Sequence, residues 1–154
     1  IFAGTGEQVE LVHRAQDRVR AGTMAGEDLL HEIDTIQQAA FSKIKAGAMG
    51  EDVIIEAEAT LKTSPSAAFT DFFCHGMGLI SHEAPFLMTN HPVAYEGVDA
   101  DRPLEENMVI SVETTMLHPK RGFIKLEDTV AVTATGYEMF GDTGRGWNRG
   151  GTAA

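Results

Sequence analysis

The sequence has one cysteine, Cys74, so no intrachain disulfide can form, and a reducing compartment such as the cytoplasm is expected. Basic residues are scarce. Twelve Lys+Arg against 23 Asp+Glu leave a formal net charge of −11. That balance argues against nucleic acid and anionic membrane surfaces as partners. No run approaches a transmembrane span, and no basic-then-apolar leader opens the chain, so no membrane association is expected. What is present is ordinary apolar content, 43% of 154 residues, enough to bury the core of one domain. The chain opens on Ile1 and not on methionine, as a fragment or a processed product would.

The first sixty residues read as helical. Thr5 and Gln8 fit a capping box that opens a helix over residues 6–20, with Val9, Val12 and Val19 on one stripe and His13 solvated. Gly22 to Gly26 breaks the pattern. A second helix is expected over 27–45: Glu27 and Asp28 favour the positive end of its dipole, and Leu29, Ile33, Ile36, Ala40 and Ile44 form its apolar face. Lys43 and Lys45 suit its far end, and Gly47 stops it. A third helix, over 51–62, carries Val53, Ile54, Ala57 and Leu61 and ends at Ser64-Pro65-Ser66.

From residue 69 the pattern turns to strands. Residues 69–74 lead into Cys74-His75-Gly76-Met77-Gly78-Leu79-Ile80-Ser81-His82-Glu83. Cys74 beside His75 invites a metal or nucleophile reading, but free cysteine is commonly a small buried residue, and that is expected here. Residues 84–103 hold three prolines and read as a long loop, with His91, Tyr95 and Asp99 available to line a pocket. Residues 109–115 and 124–133 read as two strands, antiparallel through the Pro119-Lys120-Arg121-Gly122 turn. Ala134-Thr135-Gly136 is a further turn. The tail from Gly141 reads as irregular, with Trp147 docked on the domain or on a neighbouring subunit.

His75, Glu113 and Glu127 are residue types that a hard-to-borderline divalent metal takes. Taken by type alone, the histidines could equally cap or pack, and the glutamates could mark solvated strand faces. Gly76 and Gly78 would let the backbone pass close to substrate or metal, although a structural turn explains them as well.

Three ordered blocks add to this. His75-Gly76-Met77-Gly78-Leu79 with His82-Glu83, then Pro103 through Glu113, then Ile124 through Thr133 with Gly136-Tyr137-Glu138, resemble the pita-bread metallohydrolases, the family of methionine aminopeptidase, aminopeptidase P, prolidase and creatinase. The resemblance implies an α+β fold with helices packed on a curved, mostly antiparallel sheet, and it implies His75, Glu113 and Glu127 as metal ligands. Glu127 would bridge two divalent ions (Mn2+, Co2+ or Zn2+), Glu113 would also shuttle a proton, and His82 would contact the substrate's scissile group. The implied activity is Xaa-Pro dipeptidase or aminopeptidase chemistry on a small peptide, in a homodimer. A creatinase-like amidinohydrolase or lyase acting on a small metabolite, or an inactive binding module, are the alternatives.

Two departures stand out. The family's upstream pair of aspartate ligands has no counterpart, so residues 1–154 are expected to be the C-terminal portion of a catalytic domain, with a helical part over 6–62 and a strand-rich metal-site part over 69–140. With three members of a five-ligand set, this chain would hold metal weakly or not at all. Lys125 stands where many family peptidases have arginine, keeping the charge but losing the planar fork. Strand alternation places Lys125 and Glu127 on one face, so the ammonium is expected to compensate the carboxylates when metal is missing, and one glutamate is expected to hold its proton more tightly than usual. An exposed sheet edge beside this face, covered by a second subunit, is expected from the missing upstream strands.

Overall fold

A computed structural model describes residues 26–87 and 99–140. The helix expected over 6–20, His91, Tyr95 and the tail with Trp147 lie outside the described residues.

Helix α1 spans Glu27–Phe41, and Leu29, Ile33, Ile36, Gln37, Ala40 and Phe41 form its buried stripe. Gln37 is the polar member of that stripe; its Nε2 donates to the Val112 carbonyl at 2.7 Å, tying the helix to the sheet. The helix stops four residues short of the expected Lys45. After Phe41 the chain tightens, with Lys43 and Ile44 bonding back three residues, and then Ala46 N–H is taken by Thr133 O (2.9 Å) and Gly47 N–H by Leu104 O (2.8 Å). Tertiary partners thus claim donors that a continuing helix would need. Lys43 consequently serves no helix end and pairs with Glu56 at 3.1 Å on the next helix.

Helix α2 spans Gly50–Thr63 and buries Val53, Ile54 and Ala57. Asp52 accepts the Met49 N–H at 3.2 Å, satisfying a donor at its start. Beyond it, the Glu32 carboxylate of α1 accepts from the Ser64 hydroxyl and from the Ser66 backbone and hydroxyl, which fastens the connection into the sheet.

Five strands follow: β1 Thr70–Gly76, β2 Glu83–Phe86, β3 Val109–His118, β4 Gly122–Val132 and β5 Tyr137–Met139. They form one open sheet in the order β2-β1-β3-β4-β5, and every neighbouring pair is antiparallel. The β3–β4 hairpin closes as expected over Pro119 to Arg121, with Gly122 at φ +96°, a left-handed value that favours glycine. The expected loop over 84–103 is corrected at both ends. Residues Glu83–Phe86 pair with β1, and Asp99–Asp101 form a short 3-10 turn. Pro85 is compatible with a strand here because β2 is at the edge of the sheet formed by the described residues, where a missing donor leaves no ladder bond unmade.

One sheet face meets the helices. Phe72, Cys74, Ile110, Val112, Val130 and Val132 pack there against Ile36, Phe41, Val53 and Ala57. Met116 and Ile124 meet Leu29 and Ile33 in a second cluster. Cys74 is fully buried, as a packing residue, and burial pushes its thiol up to about 12. Alternation sends the odd-numbered residues of β1, β3 and β4 to the opposite face, and these carry the candidate site.

Candidate metal centre

Register assembles the site. Glu113 on β3 lies directly opposite Glu127 on β4, and His75 on β1 lies opposite Ser111, two residues along β3 from Glu113. The three side chains therefore rise from adjacent strands onto one face as direct and diagonal neighbours. One potential ligand atom from each of His75, Glu113 and Glu127 can be chosen so that all lie within 4.8 Å of one another. The cluster could hold one divalent ion.

His75 is buried. Its Nδ1 lies 3.0 Å from the Gly76 carbonyl, so Nδ1 carries the proton and Nε2 presents its lone pair. That Nε2 is buried without a hydrogen-bond partner among the described residues, and it lies 3.9 Å from Glu127 Oε1. A buried acceptor aimed at two carboxylates is a poor arrangement for packing alone and fits a cation that would satisfy all three.

Each glutamate has its own environment. Glu127 Oε1 accepts the Ser111 hydroxyl at 2.9 Å, and Oε2 meets Lys125 Nζ at 2.9 Å. Glu113 Oε2 meets the same ammonium at 3.0 Å. Burial and the neighbouring Glu127 charge push the Glu113 carboxyl above the usual range, although Lys125 opposes them. Glu127 goes the other way: burial raises it, but Lys125, the Ser111 hydroxyl and His75 together bring it below the usual range. Burial disfavours the Lys125 ammonium, yet its two carboxylate partners more than reverse that. The expected compensation by Lys125 and the raised carboxyl are both present.

His82, on the turn between β1 and β2, stacks on His75 with ring centroids 4.1 Å apart and an interplanar angle of 28°. Its Nδ1 lies 3.1 Å from the Ser81 hydroxyl. Asp99, thought available to line a pocket, accepts the Phe86 N–H at 3.0 Å and so braces β2. The sequence reading overlooked Ser111 as a site residue. Its place two residues before Glu113 on a strand already put it on the ligand face.

His75 yields a pH prediction. Burial holds its imidazole below the ordinary value of 6.5, so on acidification the unfolded chain takes up that proton before the folded chain does. Stability of the metal-free chain is fully present above the unfolded value and falls as pH drops from there toward the folded value. One such proton contributes a slope of at most about 1.4 kcal/mol per pH unit. Urea midpoints between pH 7.5 and pH 5 should fall more steeply for the native sequence than for His75→Gln; parallel curves would refute the assignment.

The sequence matches the profile of metallopeptidase family M24 over residues 10–134. No curated protein matches the chain. Among solved structures it is similar to an X-Pro aminopeptidase from Thermotoga maritima MSB8 (24% identity, TM-score 0.64, 76% of this chain and 31% of that one). It is similar also to an Xaa-Pro dipeptidase from Bacillus anthracis (25% identity, TM-score 0.61, 76% and 31%). A methionine aminopeptidase from Rickettsia prowazekii shares the fold at 18% identity and a TM-score of 0.54, over 76% of this chain and 52% of that one. The chain thus spans under a third of the first two relatives' length. The helices on an open antiparallel sheet are part of a pita-bread fold, and the chain belongs to metallopeptidase family M24.

Proposed function

We propose that this chain is the C-terminal portion of the catalytic domain of a metal-dependent hydrolase, with Xaa-Pro dipeptides or the N-terminal Xaa-Pro bond of small peptides as substrates. The observation that carries the reading is the trio of His75, Glu113 and Glu127, brought from three strands to within 4.8 Å with an unpartnered buried imidazole nitrogen among them. These three would hold the metal, with carboxylates from the upstream half completing a dinuclear site. When bound, Mn2+, Co2+ or Zn2+ supplies an acidified water and polarises the carbonyl under attack.

The chain's own residues do the rest. Glu113 would take the proton given up by the attacking water onto a carboxylate oxygen and pass it to the leaving amine. Ser111 holds Glu127 in place through its hydroxyl. His82, at the rim beside His75, offers a hydrogen bond to the substrate's scissile group. Its acidic composition fits no nucleic acid partner, and among the described residues no helix is long and apolar enough to cross a membrane. A cytoplasmic homodimer belongs to the same proposal.

Lys125, in place of the arginine common in family peptidases, favours a specialised branch over a standard prolidase, and the alternative within enzymes is a relative acting on a small amide or betaine-like metabolite. The test uses the chain together with its upstream coding region, assayed on Xaa-Pro dipeptides and on creatine with each metal in turn. Turnover is expected on the dipeptides, with none from residues 1–154 alone. Turnover on creatine alone would move the assignment to the metabolite branch. A fully metal-loaded protein that cleaves no peptide would end the peptidase reading.

A further inference from the structure

We propose that Lys125 is an internal counter-cation of the ligand cluster: it bridges the two carboxylates before loading and must leave them when a divalent cation enters. The proposal rests on the metal-site reading above. Lys125 Nζ lies 3.0 Å from Glu113 Oε2 and 2.9 Å from Glu127 Oε2, so one ammonium touches both acidic members at once. Glu113 and Glu127 face each other directly across the ladder, a pairing that two like charges make unfavourable unless a cation lies between them.

The ammonium replaces a metal's charge without replacing its coordination. It leaves His75 Nε2 without a hydrogen bond, and Glu127 Oε1 is held instead by Ser111. A metal therefore has something to gain that lysine does not supply, namely the imidazole lone pair.

Departure of the lysine requires no backbone movement. Lys125 sits opposite Thr115, two residues along β4 from Glu127, and its side chain is 34% exposed, so the flexible stem can swing its head into water. An ammonium is a compact point charge with no fixed fork to dismantle. Metal affinity is consequently reduced by the two ion pairs that loading must break, and the unloaded site is protected from its own charge repulsion.

The test titrates Co2+ by calorimetry into the chain together with its upstream coding region, as above, and follows thermal unfolding in chelator. Four proteins are compared: the native sequence, Lys125→Met, Lys125→Arg and His75→Ala. Lys125→Met is expected to bind Co2+ about tenfold tighter, because the competing charge is gone. In chelator the same variant is expected to unfold about 2–4 °C lower, because the carboxylates are left facing each other. Lys125→Arg keeps the charge and should show neither the gain in affinity nor the loss in Tm. Binding that His75→Ala abolishes but Lys125→Met does not tighten would overturn the counter-cation alone. Co2+ binding undiminished by His75→Ala, or absent from every variant, would overturn the metal-site reading and this proposal with it.

Discussion

Replacing Gly76 with alanine is expected to cost about 3 kcal/mol of stability, whereas the same change at Gly78 should cost well under half of that. A methyl group on Gly76 would lie 2.0 Å from the Ala84 carbonyl oxygen, 2.6 Å from its carbon and 2.8 Å from the Glu83 oxygen. All three are backbone atoms of β2, so relief requires the strand itself to move. On Gly78 the methyl meets the Glu83 carboxylate instead, the free end of a flexible side chain that can rotate away. The space above Gly76 is thus filled by a neighbouring strand, and the structural explanation of that glycine is the one the fold supports.

The consequence reaches the site. His75 is followed at once by Gly76, and His82 immediately precedes β2, so displacing β2 separates the stacked rings. Urea denaturation of both variants, with amide exchange at Leu87, whose N–H bonds Cys74 O at 2.8 Å, reads the effect. A Gly76→Ala protein within 0.5 kcal/mol of the native sequence, a margin typical of innocuous surface changes, would show that β2 does not press on this backbone.

Phe41→Ala should be the most costly truncation on the helical side, about 3–5 kcal/mol out of a total that for domains of this size is about 5–15 kcal/mol. Phe41 is 1% exposed at the last turn of α1, where its ring stacks on Tyr137 of β5 at 4.9 Å and 26°. Removing it empties a volume that rigid neighbours cannot fill, since it joins the end of α1 to the edge of the sheet. Phe41→Leu retains most of the buried area and should cost about 1–1.5 kcal/mol. Chemical denaturation at constant m-value tests both. A loss under 1 kcal/mol for the alanine would mean that the site collapses around the gap or that the ring is not packed in solution.

Much of the candidate site was legible before any coordinates. Turn chemistry at Pro119 to Gly122 dictates a hairpin, and a hairpin with period-two alternation already places Lys125 and Glu127 on one face. Composition could not reveal β2, because prolines in residues 84–103 signal a loop wherever the strand's edge position is unknown. The end of α1 was hidden for a similar reason. Apolar spacing continues through Ile44, which is buried, but the Ala46 and Gly47 donors are claimed by Thr133 and Leu104, far along the chain.

The sequence by itself determined residue chemistry, the order of elements and the alternation along each strand, because these depend on neighbours a few positions apart. Only the tertiary structure decided register. That Glu113 faces Glu127, that His75 arrives one step away on the same face, and that Lys125 touches both carboxylates follow from how β1, β3 and β4 align. That alignment is set by burying Phe72, Cys74, Ile110, Val112 and Val130 against two helices on the far side of the sheet. A slip of one residue would turn the ligands into the core and the core into water, so packing on one face holds the chemistry on the other.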